Sequence, residues 1–323
     1  MHHIHIRPPW HIDDPLTPES VYTDRREFVR KLGLAALGMA LAPKAFAGGS
    51  APVEPVATPS PPPPWASRLP APAHLLHGAG EPPTEEGAAT AYNNFYEFTT
   101  DKKRVAELAA NFQTNPWQVE VGGRYGKPGS YDMHELLGRM SLEERTYRFR
   151  CVERWSMVVP WTGIAMADLL DQFEPDASAR FVRFVSFADK KQMPGISEAP
   201  WYPWPYHEGL TIREARHPLA FMACGLYGKP LPPQNGAPIR AVIPWKYGYK
   251  SIKSIARIEF TENQPSTFWS TIAPSEYPFI SNVDPTVPHP RWSQATEYRI
   301  PDGKPQPTLP YNGYETLVAH LYS

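Results

Sequence analysis

Residues 231–253 read LPPQNGAPIRAVIPWKYGYKSIK. Asn235-Gly236 is a turn signal, and the apolar run 238–243 that follows is bounded by prolines and has the length of a buried strand. The loop beyond it carries Lys246, Lys250 and Lys253. A glycine turn, a strand and a basic loop in that order can present backbone N–H groups and cations to a phosphate. The same pattern describes a basic hairpin in solvent, and the stretch alone leaves both readings open.

Outward from there, period-two alternation recurs. Trp117, Val119 and Val121 alternate and stop at Gly122-Gly123. Residues 145–152 alternate with Tyr147, Phe149 and Cys151 on one face and Arg148 and Arg150 on the other, which puts Cys151 at a strand's end. Residues 181–187, 219–224 and 255–260 read as further strands. Helical spacing is confined to short segments: after Thr100 (Val105, Leu108, Ala109, Phe112), after Asp132 (Leu136, Leu137, Met140), and from Thr162 through Leu169, Leu170 and Phe173. Beyond Phe260 the chain is irregular and Pro-rich. Short strands mixed with short helices, without a βαβ rhythm, predict an α+β fold of mixed sheets.

The chain has 323 residues, 41% of them hydrophobic, enough for a sizeable core. Its formal net charge of -1 gives no reason to expect nucleic acid as a partner. Two cysteines, Cys151 and Cys224, are too few for a disulfide framework, although one bridge stays open. Residues 23–31 are basic, 32–42 are apolar, and Ala45-Phe46-Ala47 is a small-residue cleavage site. The apolar run is shorter than the ~20 residues needed to span a bilayer. Arg25-Arg26 with Phe28 resembles a twin-arginine signal, so residues 1–47 are expected to be a signal peptide and the location periplasmic. A surface amphipathic helix with an incidental arginine pair is the alternative. Residues 48–75 are rich in Pro, Ala and Ser and are expected to form a tether that buries no core, disordered or laid over the surface. Residues 76–323 then form one catalytic domain.

Around Cys151 the chain reads RFRCVERW over 148–155. A thiol between cations has a depressed pKa, and a thiolate is a soft metal ligand; a buried structural cysteine is the competing reading. Glu153 suits an outer partner of such a ligand or a proton-handling group, and equally a structural ion pair with Arg154 or Arg148. Cys224 reads as a packed apolar thiol.

Four stretches carry a resemblance: Asn93-Asn94-Phe95-Tyr96-Glu97-Phe98, Arg150-Cys151-Val152-Glu153, residues 232–238 with 244–248, and His289-Pro290-Arg291-Trp292-Ser293-Gln294-Ala295-Thr296-Glu297. Together they resemble the sulfite-oxidase-type molybdopterin fold and, more narrowly, the catalytic subunits of periplasmic protein-methionine-sulfoxide reductases. The resemblance implies that Cys151 ligates molybdenum, with Glu153 beside the chemistry. It implies cofactor contacts from Asn93, Tyr96, Glu97, Ser186, Asn235, Arg240, Ser251, Ile252 and Lys253. Ser186 stands where a close relative carries Thr, and the hydroxyl is kept.

The implied cofactor is Mo-molybdopterin in its mononucleotide-free form. The implied activity is oxygen-atom transfer from methionine sulfoxide, free or in oxidised periplasmic proteins, by a monomeric catalytic subunit. No C-x-x-C-H haem motif occurs, and the resemblance assigns the electron supply to a membrane-embedded haem b subunit that oxidises quinol. A sulfite oxidase is the alternative enzyme. It would carry an immunoglobulin-like domain of ~100 residues, for which too little chain follows Phe260, and a Cys-x-Gly-Asn sequence at the ligand. A cofactor-free envelope binding module is the third reading, and it leaves the twin-arginine signal unexplained.

Overall fold

The computed structural model describes residues 61–70, 81–123 and 127–323. The expected signal peptide, and the expected tether apart from residues 61–70, lie outside the described residues. All the described residues belong to one compact unit, Ala57–Ser323.

The strands are β1 (Gln118–Gly123), β2 (Gly129–Asp132), β3 (Glu143–Arg150), β4 (Trp155–Ala165), β5 (Phe181–Ser186), β6 (His207–Thr211), β7 (Phe221–Leu226), β8 (Lys229–Pro230), β9 (Arg240–Val242), β10 (Ile255–Thr261), β11 (Thr296–Arg299) and β12 (Lys304–Pro307). One sheet has the order β2-β1-β10-β5-β6. The second runs β12-β11-β4-β7-β8, with β3 paired to β4 and β9 to β7. Pairs β1/β10 and β4/β11 are parallel, and the rest are antiparallel, so both sheets are mixed as the α+β reading requires. The helices are short: α1 (Glu86–Ala91), α2 (Val105–Leu108), α3 (Met133–Arg139) and α4 (Met166–Asp171) among them.

The alternating strands come out as their pattern demands. β1 buries Val119 and Val121 and exposes Gln118 and Glu120. The side chain of Asp132 caps α3 by accepting from the His134 and Glu135 N–H groups. Two expected helix starts fail. Arg104, not Thr100, precedes α2; Asp101 takes up the Lys103 N–H with its carboxylate and the Arg104 N–H with its carbonyl, which makes a turn first. Thr162 lies inside β4, and the helix begins only at Met166. β4 is buried at every residue except Ala165. It pairs with β3 along one edge and with β11 and then β7 along the other. A strand covered on both faces shows no alternation, so its period cannot be told from a buried helix.

The tether reading also needs correction over residues 61–70. Trp65 is 1% exposed and belongs to the main core, with its indole N–H donating to His134 Nδ1 at 3.1 Å. Proline enrichment suits an extended path, but one large aromatic residue suffices to seat that path on the domain.

Two buried ion pairs stiffen the loop after β9. Lys250 Nζ meets Glu208 Oε2 at 2.6 Å, and Lys246 Nζ meets Glu214 Oε1 at 2.5 Å. Burial raises the Glu214 carboxyl, but the facing Lys246 charge and its hydrogen bond hold it, on balance, below its usual value. Glu214→Gln should therefore strip the counter-charge from a buried lysine and lower stability by about 3 kcal/mol at pH 7, read by chemical denaturation. The carboxylate's contribution is present above about pH 4.5 and is lost as pH falls through the depressed folded value. The gap between wild type and variant should close on acidification.

Candidate active site at the end of strand β3

Cys151 is the first residue beyond β3, in the tight turn that leads to β4. Its N–H donates to the Trp155 carbonyl at 2.9 Å, and its carbonyl accepts from the Arg154 N–H at 3.0 Å. Arg154 carries the turn in a left-handed conformation, φ +74°, which a non-glycine residue holds only when its surroundings insist. The insistence comes from the C-terminal segment. The Arg154 guanidinium donates to the Thr296 carbonyl and the Tyr298 hydroxyl and lies over the Tyr298 ring. Arg150, fully buried, pairs with Glu297 at 2.9 Å and donates to Gln294, Thr308 and the Cys151 carbonyl. Trp292 and Gln294 both donate to the Val152 carbonyl. The turn is thus clamped from several directions.

Two donors face the sulfur. The Glu153 N–H lies 3.4 Å and Asn94 Nδ2 3.5 Å from Cys151 Sγ. Asn94 Nδ2 also donates to Glu153 Oε2 at 2.9 Å. That oxygen takes Lys102 Nζ at 3.2 Å and the Trp155 indole N–H at 3.3 Å, and it stands 3.9 Å from the sulfur. The partner of Glu153 is therefore Lys102. Arg154 turns to β11, and Arg148 to Glu81. The expected depression of the thiol pKa is reversed. Burial, and then the Glu153 charge, push the Cys151 thiol up to about 12, against weaker pulls from Lys102 and Arg150. Arginines adjacent in sequence spend their charge on Glu81 and Glu297. A thiol so placed becomes a thiolate when a cation binds it.

The remaining expected residues fall into two chains that meet at the segment carrying Asn94. In one, Asn235 Nδ2 donates to Asn93 Oδ1 at 3.1 Å, and Arg240 donates to the carbonyls of Asn235 and Ser251 at 2.9 and 3.0 Å. In the other, Ser186 Oγ donates to the Lys253 carbonyl at 2.9 Å, and Lys253 Nζ to the Asn94 carbonyl at 2.6 Å. Glu97 belongs to this second chain, its carboxyl pushed up to about 7 by burial against the pull of Lys253 and a Ser186 hydrogen bond. Ser251 Oγ is taken by the Ile243 N–H, and the Ile252 carbonyl by the Ala241 N–H, so both residues hold the loop from inside. Gly236, at φ +101°, lets that loop close: a Cβ there would come within 2.8 Å of the Lys253 side chain. Tyr96 packs its ring edge-on against Trp269 at 5.6 Å.

Of the three loop lysines, Lys246 and Lys250 serve the buried ion pairs, and Lys253 reaches the Asn94 carbonyl with Glu97 nearby. Sequence reasoning also assigned no site role to Asn94, although it sits inside the stretch 93–98, to Lys102, or to the 292–308 clamp, whose first residues sit inside the stretch 289–297. Cys224 is a free, fully buried thiol in β7, as expected of a packed one.

A molybdopterin group would bring a phosphate, a pterin edged with amide-like groups, and a metal. Arg240 is 2% exposed; among the described residues its partners are carbonyls and the rings of Phe149 and Trp161, with no carboxylate. Burial alone lowers its pKa to about 9. Burial and the Arg240 charge bring Lys253 down to about 7. Glu97 offsets part of the Lys253 charge, but Arg240 beside it has no carboxylate to offset its own, and a buried cation so placed is suited to an anion. Asn94 Oδ1, Asn235 Oδ1 and Trp161 Nε1 are buried with no hydrogen-bond partner among the described residues, and such atoms in native folds commonly face a ligand. The residues fit the group: Cys151 for the metal, Arg240 and Lys253 for the phosphate, and the Asn235 and Asn93 region for polar edges.

The family model described as "Oxidoreductase molybdopterin binding domain" matches residues 106–269. The chain is 47% identical to the protein-methionine-sulfoxide reductase catalytic subunit of Ralstonia nicotianae, over 95% of this chain and 92% of that one. It is 49% identical to the subunit of the same name from Xanthomonas axonopodis pv. citri, over 95% and 94%, and 47% identical to that of Burkholderia mallei, over 95% and 91%.

The lone cation gives a sharp expectation. Arg240→Gln should lower molybdenum content per protein by at least about tenfold, within the range for disturbing an outer partner of a metal site. The denaturation midpoint of the cofactor-free protein should not fall, because a desolvated charge has been removed. Metal analysis and denaturation of the stripped protein read the two halves separately.

Proposed function

Because this chain belongs to the molybdopterin-binding oxidoreductases and, within them, to the protein-methionine-sulfoxide reductase catalytic subunits, we propose that its site reduces methionine sulfoxide, free and within proteins, in the periplasm. The observation that carries the reading is the Cys151 thiol, held by two N–H donors, together with the buried Arg240 guanidinium, which has no carboxylate partner among the described residues.

When bound, the cofactor supplies two-electron oxygen-atom exchange with the sulfoxide; the overall change is sulfoxide plus two electrons and two protons to thioether plus water. The chain does the rest. Cys151 would hold the metal. The Glu153 N–H and Asn94 amide donate to the sulfur and withdraw charge from it, which would favour the electron-rich state of a bound metal. Arg240 and Lys253 would hold the phosphate end. Glu153 Oε2, fixed by Lys102, Trp155 and Asn94, is the oxygen assigned to proton handling at the sulfoxide.

The finer reading follows the resemblance. The cofactor is the mononucleotide-free pterin form. Export proceeds by the twin-arginine route through Arg25-Arg26, and electrons reach the monomeric subunit from a membrane haem b partner fed by quinol. Support for export is the order of basic segment, apolar run and small-residue cleavage site within residues 23–47.

A dye-linked assay compares methionine sulfoxide with sulfite on purified protein. Turnover of the sulfoxide and none of sulfite is expected; the reverse preference sinks the reading. Cys151→Ser should reduce sulfoxide turnover beyond the ~10–100-fold typical of disturbing an outer partner, because a hydroxyl is a poor ligand for a soft metal site. Near-normal turnover would remove Cys151 from its role.

A further inference from the structure

Trp161, on β4, is 2% exposed, and its indole N–H is buried without an acceptor among the described residues. The backbone beneath it is fixed from both sides: Trp161 pairs with Arg145 of β3 along one edge and with Leu226 of β7 along the other. A buried donor left without an acceptor is destabilising, and native folds keep few of them without a reason. The surroundings of the ring supply one. The Arg240 guanidinium lies over the Trp161 ring, with Cζ 4.8 Å from its centre, and over the Phe149 ring at 5.4 Å. The two rings stand 6.1 Å apart. Arg240 donates to the carbonyls of Asn235, Ala241 and Ser251 and meets no carboxylate among the described residues. A donor without an acceptor and a cation without an anion therefore share one indole.

Contacts tie this place to the thiol. The Phe149 ring lies 6.5 Å from that of Trp155. The Trp155 indole N–H meets Glu153 Oε2 at 3.3 Å, and that oxygen is 3.9 Å from Cys151 Sγ. Trp155, Phe149 and Trp161 thus run, ring against ring, from the neighbour of the sulfur to Arg240. Trp155 and Trp161 are buried, whereas Phe149, in the middle, keeps some solvent contact. The loop after β9 closes on the same ring: a Cβ on Gly248 would come within 2.8 Å of Phe149.

We infer that Trp161 is a cofactor-binding residue, whose indole N–H donates to the phosphate that Arg240 attracts. The inference rests on the molybdopterin reading above and adds to it the donor that fixes the direction of the phosphate. A guanidinium whose N–H groups are already turned to carbonyls contributes mainly charge, which attracts an anion without orienting it. One indole N–H, in a ring held under that guanidinium, selects a single phosphate oxygen. A hydrogen bond to an ionised acceptor is shorter and stronger than one between neutral groups, so the N–H gains most when the anion is present. In the cofactor-free protein it contributes nothing to stability.

The test removes the N–H and follows retention of the cofactor rather than turnover. Trp161→Phe keeps an aromatic ring under Arg240. Loaded variant should lose molybdenum and pterin about tenfold faster than loaded wild type, the size expected from one hydrogen bond to a charged group. Benzothienylalanine at position 161 replaces the N–H by sulfur at nearly equal volume, which covers the case that the phenylalanine variant folds poorly. It should lose the cofactor at a similarly raised rate, while the stripped protein carrying it unfolds at no lower denaturant concentration than stripped wild type. Equal retention in wild type and the sulfur isostere overturns the inference. So does a stripped isostere protein that is less stable than wild type, because the N–H would then serve the fold. Inorganic phosphate, titrated into the stripped proteins, separates this inference from the reading it rests on. Phosphate bound about tenfold more weakly by the isostere, with no molybdenum held by the wild type, would support the Trp161 contact and sink the molybdopterin reading. Molybdenum held by the wild type, with equal retention and equal phosphate affinity in the isostere, does the opposite.

Discussion

A buried positive charge without a close acidic partner is the constraint around which this site is built. Arg240 sits inside the fold with carbonyls and aromatic faces for company, and Lys253 lies near enough for each to feel the other's charge. Desolvating one such cation is unfavourable by several kcal/mol unless something negative is brought in with it. The surrounding chain does not bring it. Asn235 and Ser251 spend their carbonyls on holding the guanidinium still, and Gly236 lets the loop close over the Lys253 stem. The geometry makes sense as the receiving end of an anionic group, and a molybdopterin phosphate is the group that the family brings.

The other end of the site depends on a turn. Left to itself, the chain after β3 would not keep Arg154 at positive φ. The C-terminal segment 292–308 supplies the restraint through the Arg150–Glu297 pair, the paired donors on the Val152 carbonyl and the seat of Arg154 on Tyr298. This segment lies beyond residues 106–269, where the family model matches. Cys151 is therefore oriented by parts of the chain far from it in sequence. Its two N–H donors toward sulfur follow from the turn and from the 93–97 segment that also anchors Lys253.

Much of this was legible from residue types. Alternation located β1, β3 and β5, and the position of Cys151 at the end of β3 followed from counting along it. Ser186, Glu97, Lys253, Asn93, Asn235, Arg240 and Ser251 came instead from the family resemblance, and the structure ties them into adjoining networks. What was not legible depended on partners distant in sequence. The direction of the Cys151 pKa shift was misjudged because adjacent arginines were credited with charge that Glu81 and Glu297 absorb. β4 hid its period because both of its faces are covered. Trp65 was lost in a proline-rich composition, which describes the path of a segment but not what it touches. Asn94 gave no local sign of its place against the sulfur, since only the fold brings residue 94 to residue 151.

A bond between Cys151 sulfur and molybdenum would be visible to X-ray absorption at the molybdenum edge. Between loaded wild type and loaded Cys151→Ser, one sulfur neighbour should be lost from the metal's shell. A sulfur shell unchanged by the substitution would contradict it.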